Sequence, residues 1–174
     1  MKRLLSIIGA ISLVGTNTTS LIACKDKIHE YTPEELAKLK QENKINTANK
    51  EIIDNLEWMA QQEKPLNNID NKYYYVVWRG DKNNNWRIAK FQNTEKQRYN
   101  KFDDQDKYYI FIGQYKTETN FDIIISEQQS SYKTIKPWQI DNGVYFKSVY
   151  RWNLDTSEPD LILDENGNIK VKGE

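Results

Sequence analysis

Lys72-Tyr73-Tyr74-Tyr75-Val76-Val77-Trp78-Arg79-Gly80-Asp81 decides the fold class. Six successive aromatic or β-branched residues, 73–78, sit poorly on a helix and well on a pleated strand. Alternation places Tyr73 and Tyr75 on one face and Tyr74, Val76 and Trp78 on the other. If one face packs against a helix, the other offers a platform of rings. Arg79-Gly80-Asp81 then opens a polar turn that runs through Asn83-Asn84-Asn85.

Downstream, the same chemistry returns at Trp86 to Gln92, Lys107 to Gln114, Phe121 to Ser126, Val144 to Asn153, Asp160 to Leu163 and Asn168 to Lys172. Lys116 to Asn120 and Glu165-Asn166-Gly167 read as turns. Lys72 to Gln92 aligns without gaps on Lys107 to Glu127, matching Lys72, Tyr73, Tyr74, Asn85 and Ile88 to Lys107, Tyr108, Tyr109, Asn120 and Ile123. Both segments read strand, turn, strand, so two equal hairpins are expected.

Upstream, Thr32-Pro33-Glu34-Glu35 is a helix start: Thr as cap, Pro at the first helical position and Glu closing a capping box. Leu36, Leu39, Ile45, Ala48, Ile52, Leu56 and Met59 form an apolar stripe, although Glu42 to Asn49 is weak in helix propensity. These patterns predict an α+β domain: an amphipathic helix over 33–62 packed on a mainly antiparallel β-sheet of about six to eight strands built from hairpins, with residues 72–174 β-rich.

The chain has 174 residues, one His and one Cys, with 25 basic and 25 acidic side chains. That length suits one domain of ordinary size. A lone Cys excludes an internal disulfide and any multi-cysteine zinc site, and balanced charge gives no footprint for nucleic acid. Lys outnumbers Arg 20 to 5, and Asn, Ile and Tyr are abundant beside scarce Ala, Gly and Pro, as in a protein from a very A+T-rich genome.

Met1-Lys2-Arg3 is a basic start, and the apolar stretch Leu4 to Val14 is too short to cross a bilayer. Leu21, Ile22, Ala23 and Cys24 fit a bacterial lipobox, in which a small residue precedes the thiol that takes a diacylglyceryl group. The segment from Met1 through Ala10 and on to Cys24 resembles the signal peptides of mollicute surface lipoproteins, especially those of spiroplasmas. The resemblance covers about 24 residues. It implies export from a wall-less bacterium and anchoring on the extracellular face of the cell membrane. It also implies residues 1–23 as signal peptide, 24–31 as lipidated Cys and tether, and 32–174 as the folded domain. At about 0.8 kcal/mol per buried methylene, two acyl chains hold stably. Loss of Lys2 and Arg3 leaves the exported part weakly acidic.

Three groups of residues are candidate binding sites. Arg79, Gly80 and Asp81 form a tripeptide that serves adhesion when a loop tip presents it. Trp86, Trp138 and Trp152, beside polar neighbours, are expected at the surface as stacking rings for a glycan or protein partner. Asp103-Asp104-Gln105-Asp106 and Asp164 to Asn168 carry oxygen ligands but read as a solvated loop and a hairpin turn. His29 has no partner for nucleophilic catalysis. No catalytic residue, metal or other cofactor is assigned. The expected role is a lipid-anchored interaction module for a host or envelope protein or glycan. An accessory subunit of a membrane complex such as a transporter comes second, and a carboxylate-dependent hydrolase third.

Overall fold

The computed structural model describes residues 30–128 and 135–174. Ten strands in three antiparallel sheets dominate it, with few helical turns, so the fold is β-rich. The strands are β1 (Leu56–Trp58), β2 (Tyr73–Trp78), β3 (Arg87–Gln92), β4 (Lys101–Gln105), β5 (Tyr108–Gln114), β6 (Phe121–Glu127), β7 (Ile135–Pro137), β8 (Phe146–Trp152), β9 (Leu161–Leu163) and β10 (Ile169–Val171). One sheet runs β1-β8-β2-β3, a second runs β4-β5-β6-β7, and β9 and β10 form a separate hairpin. A single sheet of six to eight strands was expected. The chain instead divides its strands, because β2 is apolar on both faces and each face takes its own cover.

One core lies between the two four-stranded sheets. Tyr74, Val76 and Trp78 of β2 meet Ile110 and Ile112 of β5 and Ile123 and Ile125 of β6, with Phe91 and Val149 alongside. The second core covers the other face of β2: Tyr75 and Val77 pack with Tyr150, Trp152, Ile52, Leu56, Leu161 and Ile169.

The two hairpins of the repeat are β2–β3 and β5–β6, and they share one register. Tyr73 pairs with Gln92 and Val77 with Ile88. At the equivalent positions Tyr108 pairs with Glu127 and Ile112 with Ile123. Their orientation differs. Tyr74 faces the core between the sheets, whereas in β5 it is Tyr108, Ile110 and Ile112 that do so. Equal pairing with opposite facing is what strands apolar on both sides permit.

The long helix expected over 33–62 is corrected to two short ones. α1 (Pro33–Glu42) starts as predicted: Thr32 Oγ1 accepts from the Glu35 amide and the Glu35 carboxylate accepts from the Thr32 amide. It stops at Asn43 and has no buried residue, so it is not packed on a sheet through a full apolar face. Asn43 to Asn49 is an open connector. Asn49 then caps α2 (Lys50–Asn55), whose Ile52 is buried. Leu56, Glu57 and Trp58 leave the helix to pair with Trp152, Arg151 and Tyr150 of β8. No helix among the described residues is long and apolar enough to cross a membrane.

Candidate functional site

The end of β2 fixes the Arg79-Gly80-Asp81 turn. Arg79 Nε donates to the Val144 carbonyl at 2.7 Å and a terminal nitrogen donates to the Lys82 carbonyl at 2.8 Å. Its guanidinium lies 4.3 Å over the Trp86 ring. Asp81 accepts from the Asn83 amide within its own turn. Gly80 is buried, its amide donating to Gln105 and its carbonyl accepting from Lys136. A Cβ at Gly80 would stand 2.3 Å from Tyr108 Cδ2, so close packing requires glycine there. The tripeptide is therefore folded into the sheet end, with its guanidinium against Trp86.

Lys136 carries no mark in the sequence. Its ammonium sits 4.2 Å from the Tyr108 ring and 4.1 Å from the Tyr145 ring while donating to Gly80. Burial lowers its pKa. It ties β7 to the turn after β2.

Trp86 is half-buried. Arg79 covers it on one side, and the β9–β10 turn approaches so closely that a Cβ on Gly167 would lie 2.7 Å from Trp86 Cδ1. A shallow site of about 560 Å³ opens here, lined by Arg79, Trp86, Asp164, Glu165 and Gly167 among others. Trp138 and Trp152, expected at the surface, are both buried, at 5% and 1% exposure. Trp138 joins the core between the sheets and Trp152 the second core. Alternation along β8 turns Trp152 inward although its sequence neighbours Arg151 and Asn153 are polar.

The larger cavity, about 770 Å³, is a groove on the other side of the β9–β10 hairpin. The connector, including Lys44, Ile45 and Thr47, forms one wall. Ile169 and Lys170 of β10 form the other, and Lys147, Ser148 and Tyr150 of β8 lie in the floor. The Tyr150 hydroxyl anchors the connector by donating to the Asn43 carbonyl at 3.0 Å. The two cavities share Asp164, whose carboxylate accepts from the Asn166 and Asn168 amides and the Asn168 side chain. Those bonds hold its pKa below the usual carboxylate range. Asp164 to Asn168 is thus a hairpin turn, as its sequence implies.

The acidic run Asp103 to Asp106, read as a solvated loop, is corrected to strand β4 and the turn after it. Asp103 is paired with Arg87 at 2.7 Å and accepts from Trp78 Nε1, and Asp104 is paired with Lys101. Paired edge carboxylates explain how so charged a segment forms a strand.

A polar network that sequence reasoning missed joins α1 to β1 and β8. The Lys40 ammonium reaches Glu57 at 2.6 Å and Glu63 at 2.5 Å, and Arg151 reaches Glu57 at 2.9 Å. Burial would raise the Glu57 pKa, but bonds from Lys40 and Asn153 with both cations hold it low. The two carboxylates meet at a lysine, and neither lines the two cavities just described. Such groups brace a structure; they do not supply a free acid and base.

Cys24, the lipobox residues Leu21, Ile22 and Ala23, and His29 lie outside the described residues. The described residues define a β-rich protein of two four-stranded sheets and a separate hairpin, with an open groove between a connector and that hairpin. Comparison with known proteins finds no family model, no curated protein and no solved structure that matches the chain.

Proposed function

We propose that the chain is a lipid-anchored, surface-exposed lipoprotein that acts as a non-enzymatic interaction module. A diacylglyceryl group on Cys24 holds it on the extracellular face of the cell membrane. The partner is a protein or glycan of a host or of the envelope, and neither nucleic acid nor a cofactor takes part.

One observation carries the binding reading: the open groove of about 770 Å³. Among the described residues, the amides of Asn46, Thr47 and Ala48 on its wall make no hydrogen bond. Wall amides left to solvent are ready donors for a ligand, whereas backbone groups in a finished core are paired. The transporter-subunit reading would need an uncovered apolar helix face, and α1 is short, with Glu34, Glu35, Lys38 and Lys40 around its few apolar residues. The hydrolase reading would need two free carboxylates over a cavity, and Glu57 and Glu63 are instead joined by Lys40. Of the acids lining the groove, Glu42 is paired with Lys38, Glu174 accepts from the Thr47 hydroxyl and Asp164 is bonded within its turn.

Anchoring and binding are tested separately. Lipidation predicts that the protein partitions with membranes and that Cys24→Ala abolishes both partitioning and the acylated mass. An unchanged mass and partitioning in that variant would defeat it. Binding predicts that the full chain in mild detergent retains a specific partner from host or bacterial surface extracts.

A further inference from the structure

The hairpin beside the groove ends in an unfinished sheet. Among the described residues β9 and β10 pair only with each other, so β10 has an edge that no described strand covers. Which of its peptide groups are free follows from the antiparallel pattern, in which hydrogen-bonded and non-bonded pairs alternate. Asp164 donates to the Asn168 carbonyl and Lys172 donates to the Asp160 carbonyl, each at 2.9 Å. Those two bonded pairs bracket the register Ile169–Leu163, Lys170–Ile162 and Val171–Leu161. Lys170 is therefore the bonded residue between them, while the peptide groups of Ile169 and Val171 point away from β9. The Val171 carbonyl accepts from the Glu174 amide at 3.4 Å. The Ile169 amide and carbonyl and the Val171 amide have no partner among the described residues.

Ile169 and Lys170 line the groove, and the connector across from them also carries unbonded amides. A strand occupies about 3.3 Å of length, 4.8 Å of strand spacing and 10 Å of sheet spacing per residue. At that size a groove of about 770 Å³ holds roughly five extended residues.

Charge selects among strands. Lys44 and Lys170 line the groove and form no ion pair with a described carboxylate, whereas Lys147 is held by the Asn166 carbonyl of the hairpin turn. The nearby acids are engaged: Glu42 with Lys38, Glu174 with the Thr47 hydroxyl, and Asp164 within its turn. An occupant with acidic side chains completes what the walls lack.

We propose that the groove receives an extended, acidic segment of a partner protein, which adds to the free edge of β10 as a third strand. Backbone bonds to Ile169 and Val171 would supply affinity, and Lys44 and Lys170 would supply preference, as in other cases of strand addition. This rests on the interaction-module reading and names the class of partner.

The test uses the full chain in neutral detergent and two probes, an alternating Val-Glu heptapeptide and its Val-Lys counterpart, with amide hydrogen exchange followed residue by residue. The Val-Glu peptide at about ten times its Kd should slow exchange at Ile169 and Val171 about ten-fold, while Lys170, already bonded to β9, stays unchanged. The double variant Lys44→Glu, Lys170→Glu should reverse the preference toward the Val-Lys peptide. Equal binding of both peptides, no binding of either, or uniform slowing of all three amides overturns strand addition. So does concentration-dependent protection without peptide, which would make a second copy of the chain the occupant. A partner retained from surface extracts that leaves Ile169 and Val171 exchanging freely defeats strand addition alone. Peptide binding with no partner retained defeats the interaction-module reading alone.

Discussion

Asp122 gives the fold a pH dependence whose sign and size can be worked out. It lies on β6, 1% exposed, and its carboxylate accepts from the Gln139 and Ile123 amides, each at 2.9 Å, with no ion-pair partner among the described residues. Burial pushes its pKa up from 3.8 to about 7, against the opposing pull of those two amides. Between these values the folded protein keeps a proton that the unfolded chain releases. Stability from this group is thus fully present at low pH and is lost as pH rises toward and through 7. The whole difference, at about 1.4 kcal/mol per pH unit, is about 4 kcal/mol, of which about 2.5 kcal/mol falls between about pH 5 and pH 8. Asp122→Asn removes the titration but keeps the shape and one acceptor, at a cost of about 1 kcal/mol for the lost bond. Urea denaturation of both proteins across this range is the assay. The wild type's advantage of about 1 kcal/mol at low pH should be gone by about pH 5, and the variant should be the more stable by about 3 kcal/mol at about pH 8. A stability difference between the two that is the same at both ends would refute the reasoning.

Other substitutions follow from the packing. Trp152→Ala should cost about 3–5 kcal/mol in urea denaturation, because the ring is buried in the second core; a surface ring would cost little. Gly167→Ala faces a φ of +74° and a Cβ contact of 2.7 Å with Trp86. It should lose about 1–2 kcal/mol from the backbone alone and shift tryptophan emission. Arg79→Ala should cost about 1–2 kcal/mol in denaturant, from lost hydrogen bonds and the contact with Trp86. In a cell-adhesion assay it should change nothing beyond that, and abolished adhesion with unchanged stability would restore the tripeptide as a ligand.

The hairpins were legible where local chemistry decides the structure. Tyr73 to Trp78 and Tyr108 to Gln114 are strands whatever surrounds them, and their repeat pointed to two equal hairpins, which the structure shows to share one register. The Thr32 cap is equally local, since its partners lie within three residues. Leu56 to Trp58 was not legible as a strand: Leu56 and Met59 continue a helical stripe, and the opposing claim comes from Trp152 and Tyr150, far along the chain. β4 hid because its charges are satisfied by Arg87 and Lys101 only once the sheets form. Trp138 and Trp152 misled for a related reason. Polar neighbours in sequence say nothing about which face of a strand a ring occupies when both faces are covered. Of the candidate site, Trp86 and the Asp164 turn could be read in advance. The groove could not, since the connector, β8 and β10 meet there only through the tertiary fold.

The most direct test of the binding account compares capture by the full chain with capture by a Lys44→Glu, Lys170→Glu variant. Both are solubilised in mild detergent, matched in stability, and exposed to the same surface extracts. The wild type should retain a specific protein that the variant binds at least about ten-fold more weakly, a difference of about 1.4 kcal/mol. Equal retention by both, or none by the wild type, would contradict the account.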